Sequence, residues 1–401
     1  MLAALADLGP DLRTSYAGLE LRNPLIVSPA GITETVKRMK KAEGAGCGAV
    51  VVKTLFEDAV TRRSPTPRFR ILRRRGESPE SFVLYSYEQA SAFGPERYAR
   101  EIRDAKKALG IPVIASVGCT TEEGWTRYSR LMENSGADAL ELNVSCPHGR
   151  PMLSDADVSD LMCCATRLVK ETVSMPVIPK MTPQTASPLG AALRLQASCA
   201  DAVVMFNRFT GLDIELEKEA PTMHGGFAGH GGPWSLYYLL RWLVATSPRL
   251  GIPISASGGI WTGHDMAKAI LAGATTTQMC TAVVVQGYEA ITAALKDLRA
   301  FMEMKGYSTP KQFRGKACGR VLSTEQVDRR KTVVAWIDPG KCTSCGICQK
   351  VCIYQAVSRA GNAYLVRRSC QGCGLCVEVC PEEAMSLFSR QNAFASKRER
   401  R

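Results

Sequence analysis

From residue 25 to about residue 285, short apolar and β-branched runs recur, each ending in a polar or glycine-rich stretch and each followed by helical spacing. Eight runs are predicted as strands: Leu25 to Ser28, Ala49 to Lys53, Val113 to Ser116, Ala139 to Val144, Val177 to Lys180, Ala202 to Phe206, Ile254 to Ser257 and Thr277 to Met279. Helical spacing marks Arg97 to Leu109, Trp125 to Ser135, Asp155 to Val173, Leu236 to Ala245 and His264 to Ala272. Strands alternating with helices build parallel βαβ units, so the pattern predicts an α/β protein with a (β/α)8 TIM barrel. A doubly wound open sheet alternates in the same way and is not excluded by periodicity. Gly44-Ala-Gly-Cys-Gly48 looks like a dinucleotide loop, but it precedes a strand, whereas that fingerprint follows a strand and opens a helix. No G-x-x-x-x-G-K-S/T loop occurs either, so no NAD or ATP site is expected.

The barrel pattern occupies residues 1–304. Residues 305–335 mix Lys, Arg, Gly, Ser and Thr without a long apolar period and read as a linker. A cysteine-rich module follows at 336–388, then a basic tail at 389–401. With 45% hydrophobic and 22% charged residues in 401, the chain can bury a large core, and disorder of the whole is excluded. No run approaches the roughly 18 apolar residues of a membrane span. Asp7 and Asp11 interrupt the segment where a secretion signal would run, so a cytoplasmic location is expected.

The net charge of +13 is concentrated. Seven arginines and no acid lie between Arg62 and Arg75, and five basic residues face one acid from Ser389 to Arg401, giving 7 + 4 = 11 of the 13 excess charges. No helix-turn-helix, zinc-finger or aromatic-interleaved motif accompanies them, so nucleic-acid binding is not expected. The first run follows the second strand, on the side of a barrel that carries the active site. It is expected to steer an anionic substrate or to dock an acidic redox partner.

Eight of the 16 cysteines form two runs, Cys342-x2-Cys345-x2-Cys348-x3-Cys352 and Cys370-x2-Cys373-x2-Cys376-x3-Cys380-Pro381. In two-cluster ferredoxins three cysteines spaced by two residues wrap one cubane, and the fourth serves the other cluster. On that pattern Cys342, Cys345, Cys348 and Cys380 hold one 4Fe-4S cluster, and Cys370, Cys373, Cys376 and Cys352 the other. Zinc is the rival, but it takes separated CxxC pairs and fits a third crowded cysteine poorly. The module resembles a bacterial-type ferredoxin over its whole length. Such a module carries single electrons, so a barrel fused to it is expected to use a cofactor that handles both one and two electrons, and a flavin does. Cys163 and Cys164, in a helical pattern, and Cys47, Cys119, Cys199 and Cys318, with no partner spacing, are expected to be buried small hydrophobes.

The ends of the eight strands read Ala30-Gly31, Lys53-Thr54, Ser116, Asn143 with Cys146, Lys180, Asn207, Gly258-Gly259 and Cys280-Thr281. Two lysines closing apolar strands suggest an anionic or electron-rich ligand, and glycines after strand seven let backbone N–H groups approach phosphate oxygens. The stretches Asn23-Pro24-Leu-Ile-Val-Ser-Pro-Ala-Gly31, Val51-Val-Lys53-Thr54 and Ala139-Leu-Glu-Leu-Asn143-Val-Ser-Cys146-Pro147-His148-Gly149, with the glycine turn at 258, resemble the dihydroorotate and dihydropyrimidine dehydrogenase family. The fused two-cluster module makes the chain most similar to its dihydropyrimidine dehydrogenase branch. The resemblance implies FMN, bound at Ala30, Gly31, Lys53, Thr54, Asn143 and Lys180, with the phosphate at Gly258, Gly259, Cys280 and Thr281. It further implies that Asn143 and Asn207 contact substrate and that Cys146 is the general acid or base.

Where the family has a threonine after the substrate asparagine, this chain has Arg208. Arg208 is expected to meet a substrate carboxylate or to pair with Asp213 or Glu215. The glycine-rich segment Met223–Gly232 holds His224 and His230 as further polar contacts or as a surface turn. The expected function is FMN-dependent reduction or oxidation of a C=C bond conjugated to a carbonyl. Electrons would pass through two 4Fe-4S clusters to or from a partner protein, either a ferredoxin or an NAD(P)H-oxidising flavoprotein subunit. Dihydroorotate oxidation and a non-catalytic cluster-bearing subunit are the alternatives, and a homo-oligomer is expected.

Overall fold

A computed structural model describes residues 9–73, 81–87, 90–144, 155–360 and 363–391. The eight barrel strands are β1 (Leu25–Val27), β2 (Ala49–Val51), β3 (Val113–Gly118), β4 (Ala139–Leu142), β5 (Val177–Pro179), β6 (Val203–Met205), β7 (Ile254–Ser257) and β8 (Thr276–Met279). All pairings run parallel, from β5 through β4, β3, β2, β1, β8 and β7 to β6, and a parallel bridge between Lys180 and Val204 closes the ring. The fold is therefore the predicted (β/α)8 barrel and not an open doubly wound sheet.

Among the described residues, eight helices of nine or more residues surround the ring: α1 (Val36–Gly44), α2 (Pro95–Ala108), α3 (Glu122–Asn134), α4 (Asp155–Thr172), α5 (Pro188–Ala197), α6 (Leu236–Thr246), α7 (Gly263–Leu271) and α8 (Glu289–Lys305). Four of these helices start on a side-chain cap: Thr35 accepts from Arg38 N, Thr121 from Gly124 N and Ser187 from Gly190 N, and Thr262 forms a capping box with Asp265. Strand alternation divides the core. Leu140 and Leu142 of β4 face the helices, while Ala139 joins Ile26, Val51, Ile114, Ile178 and Val204 inside the ring. A hairpin of Thr14–Tyr16 and Leu19–Leu21 contributes Tyr16 and Leu21 to that interior.

The chain forms two compact units, Met1–Val321 and Leu322–Arg401, so the division falls inside the stretch read as a linker. Phe313 within that stretch is fully buried in the barrel core and packs on Phe301 and Tyr307, and Gly315 and Ala317 donate to the carbonyls of Ile270 and Leu271. The second unit pairs Val333–Ile337 with Met385–Ser389 and Val357–Ala360 with Ala363–Val366, all antiparallel. Its short helices Ile347–Lys350 and Leu375–Glu378 each follow a left-handed glycine, Gly346 and Gly374. Among the described residues no helix is long and apolar enough to cross a membrane.

The expected burial of the remaining cysteines holds for Cys47, Cys119 and Cys163 but not for the others. Cys164 is exposed because one residue turns a helix position by about 100° away from the core-facing Cys163. Cys199 is exposed at the turn after α5, with φ 64°, and Cys318 is half-buried.

Candidate active site

The carboxyl ends of the strands surround a cleft of about 1290 Å³, counting its open mouth, and it gathers residues far apart in the chain. Ala30, Lys53, Thr54, Asn143, Lys180, Asn207, Arg208, Gly258, Gly259, Cys280 and Thr281 all line it. Gly31 opens the adjoining turn Gly31–Thr33, where its carbonyl accepts from Arg38 Nη1 at 2.8 Å. Cys146 lies outside the described residues.

Both lysines are 4% exposed, and each has a carboxylate that the sequence reading missed. Lys180 Nζ stands 3.2 Å from Glu141 Oε1 and 2.9 Å from Gln278 Oε1, while Gln278 Nε2 donates to Glu141 Oε2 at 2.8 Å. Ser28 Oγ donates to Gln278 Oε1 at 3.1 Å. Lys53 Nζ lies 3.8 Å from Glu34 Oε1, whose other oxygen takes Arg38 Nη1 at 3.1 Å. Strand alternation could have exposed Glu141: in Ala139-Leu-Glu-Leu-Asn143 it shares the inward face with Asn143, the predicted ligand. Gln278 and Ser28 hold the same inward positions on β8 and just after β1.

The two asparagines are oriented by a chain of bonds. Thr54 Oγ1 and Ser116 Oγ lie 2.9 Å apart, Asn143 Nδ2 donates to Thr54 Oγ1 at 3.3 Å, and Asn207 Nδ2 donates to Asn143 Oδ1 at 2.9 Å. Asn207 Oδ1 accepts from Arg208 N at 2.9 Å. These bonds occupy both amide oxygens and leave each NH2 a second proton to give.

The donor set suits FMN. Gly258 and Gly259 have φ of 115° and 74°, and a Cβ on Gly259 would stand 2.2 Å from Leu236 N. The backbone N–H groups of these two glycines have no acceptor among the described residues, which suits an anion such as a phosphate. Two buried ammonium groups suit the electron-rich end of a flavin.

A four-stranded antiparallel sheet, ordered Phe209–Gly211, Ala228–Gly231, Val83–Ser86, Phe69–Leu72, roofs the cleft, and the sequence reading did not foresee it. Arg208, Gly229, Gly231, Leu84, Ser86 and Phe69 fall on one face and line the cleft. A Cβ on Gly231 would meet Thr281 Oγ1 at 2.6 Å, and one on Gly229 would meet Arg208 Cδ at 2.1 Å, so the glycines let the roof lie close and Arg208 lie flat. Arg208 Nη1 donates to Ser86 Oγ at 2.9 Å.

Alternation turns His230 to the opposite face. There its ring lies tilted against Tyr85, centroids 5.0 Å apart, over Gly211, with Nε2 buried and unpartnered among the described residues. Burial pushes its pKa below the ordinary value, Asp213 pulling it up and Arg208 adding to the fall. His224 Nε2 lies 2.7 Å from Pro67 O and ties the glycine-rich segment to the arginine run. His230 is among the residues lining the cleft although its ring lies on the sheet's other face, and His224 is not among them. Within the run, Phe69 forms cleft wall, and Arg63, Arg68, Arg70 and Arg73 are exposed. Arg62 is half-buried and bonds to the carbonyls of Phe56 and Glu57.

In the second unit Cys342, Cys345, Cys348 and Cys380 line one cavity of about 340 Å³. Cys370 and Cys376 are buried in the small core, with Cys352 packed against it, and Cys373 is exposed. Among the described residues no group of three or more His, Cys, Asp or Glu side chains stands arranged to hold a single metal ion. Ala356 N donates to Cys352 Sγ and Ala384 N to Cys380 Sγ, both at 3.3 Å, so the two repeats treat their fourth cysteines alike.

Comparison with known proteins matches residues 11–302 to the dihydroorotate dehydrogenase family and residues 335–387 to the 4Fe-4S dicluster domain family. The NAD-dependent dihydropyrimidine dehydrogenase subunit PreA of Escherichia coli (strain K12) is 28% identical over 357 residues, 86% of this chain and 86% of that protein. The catalytic subunit of dihydroorotate dehydrogenase B (NAD(+)) from Thermoplasma acidophilum is 30% identical over 303 residues, 73% of this chain and 94% of its own. The chloroplastic dihydropyrimidine dehydrogenase (NADP(+)) of Arabidopsis thaliana is 27% identical over 365 residues, 83% of each chain.

Proposed function

The chain belongs to the dihydroorotate dehydrogenase family and carries an iron–sulfur domain, and from that premise we propose that it is an FMN enzyme acting on a C=C bond conjugated to a carbonyl. In broad terms it is an oxidoreductase of the dihydropyrimidine and dihydroorotate dehydrogenase type, acting on CH–CH groups. Electrons pass through two 4Fe-4S clusters to or from a partner protein, a ferredoxin or an NAD(P)H-oxidising subunit. The observation that carries this reading is the meeting of Lys53, Thr54, Asn143, Lys180, Asn207, Gly258, Gly259, Cys280 and Thr281 in one cleft.

FMN, when bound, exchanges a hydride with substrate and passes electrons on singly. Lys53 and Lys180 contact its ring system, and Gly258, Gly259, Cys280 and Thr281 hold its phosphate. Asn143 and Asn207, whose oxygens are already engaged, present N–H groups to substrate or flavin carbonyl oxygens. Arg208, lying along the roof, adds a cation for an anionic substrate. Cys146 exchanges the proton at the carbon beside the one that takes or gives the hydride, the part a thiol can take as general acid in the reductive direction.

Anaerobic purification tests the reading. One FMN and about eight iron atoms per chain, with reoxidation of the reduced protein by a pyrimidine, orotate or an unsaturated acid, are expected. Iron–sulfur absorption without flavin would instead indicate a cluster-bearing electron-transfer subunit.

A further inference from the structure

We infer that Glu141 and Gln278 are positioning residues: with Lys180 they form a closed hydrogen-bonded ring that fixes the ammonium at the cleft and tunes the reduction potential of the flavin. The inference rests on the FMN reading above. Glu141 is wholly buried and Lys180 nearly so, and their side chains reach each other from the adjacent strands β4 and β5. Gln278 arrives from β8 and completes the ring, giving its N–H to one carboxylate oxygen while its carbonyl oxygen takes a proton of Lys180. No other arrangement of the amide serves both neighbours, because the carboxylate only accepts and the ammonium only donates. The third proton of Lys180 remains for the cleft that the residue lines.

Below the ring stands Tyr16, whose phenol is held protonated by burial and by the nearby Glu141 charge, so no second anion competes for the lysine. An unpaired buried ammonium would be costly and would favour the more negative, reduced cofactor strongly. A carboxylate within 3.2 Å behind it cancels much of that field. The cleft therefore meets one end of a compact dipole rather than a bare cation, and Glu141 sets how far that dipole favours reduction.

The test compares full-length, cofactor-loaded wild type with Glu141→Gln, Gln278→Leu and the exchange Glu141→Gln/Gln278→Glu. Each is read by thermal melting, FMN content and the two-electron midpoint potential of the flavin. Glu141→Gln is expected to favour reduced over oxidised FMN by about tenfold more than wild type, an upward shift of about 30 mV for a two-electron couple. The exchange returns one carboxylate to the ring and is expected to move the potential back. A folded, FMN-replete Glu141→Gln protein at the wild-type potential overturns the inference, as does an exchange variant that stays at the Glu141→Gln value. Should Glu141→Gln fail to fold, recovery of folded, FMN-bound protein by the exchange supports the ring. Failure of the exchange to fold, with Gln278→Leu at the wild-type potential, overturns it. Wild type without FMN would be a failure of the cofactor reading, a distinct outcome.

Discussion

In the barrel, reactive groups are held by other side chains; in the C-terminal unit the reactive groups are themselves much of what there is to pack. The barrel unit owns all of the largest fully buried side chains, among them Tyr16, Tyr98, Phe313, Met39 and Met132. The second unit has nine buried apolar residues among its described positions, and two of them are Cys370 and Cys376. A fold of that size rarely buries enough apolar surface to stand alone, and bound metal commonly supplies the difference. The barrel can thus keep its shape while its cofactor comes and goes, whereas the smaller unit is expected to owe its shape to its clusters.

Removing the clusters by anaerobic chelation, or by Cys376→Ala, is the largest test of that contrast. Amide protection should vanish across Val333–Ser389 while the barrel strands keep theirs in hydrogen exchange; an apo unit that stays protected would end the comparison. Next in size is the barrel rim. Cys146→Ala should lower substrate turnover about 10²–10⁴-fold while leaving FMN content and dithionite reduction intact, and full turnover would remove Cys146 from the chemistry. Phe313→Ala should cost the barrel about 3–5 kcal/mol in denaturant unfolding without loss of iron, because the ring is wholly buried on the barrel side of the division. The smallest effect is expected at the roof's edge: Arg68→Gln with Arg70→Gln should lower kcat/KM for an anionic substrate or partner only a few-fold, and less as salt rises. Turnover indifferent to both salt and substitution would leave those arginines as solvated surface.

Much of this was legible beforehand, for reasons that differ by region. Most of the barrel strands announce themselves because a strand buried on both faces is a near-continuous apolar run, whereas Ile254–Ser257 and Thr276–Met279 carry polar residues and are read from their place in the alternation. The cysteine runs are legible because cluster geometry imposes strict spacing. The roof sheet was not: its strands come from insertions well over a hundred residues apart, and Ala228-Gly-His-Gly231 has no hydrophobic period to read. Phe313 was hidden among lysines and glycines, a single aromatic with no repeat to mark it. Glu141 was in plain view within Ala139-Leu-Glu-Leu-Asn143, but its partners Lys180 and Gln278 lie 39 and 137 residues away, a distance no local pattern spans.

The roof's pairing register bears on how such a cleft could be re-purposed. Gly229 and Gly231 look down and His230 looks up because of where Ala228–Gly231 sits against its neighbours. A one-residue slip of that strand's pairing would turn it over and bring an imidazole down beside the guanidinium of Arg208. The groups this roof offers to a ligand are thereby written partly in strand register, a variable that a scan of single side chains does not sample.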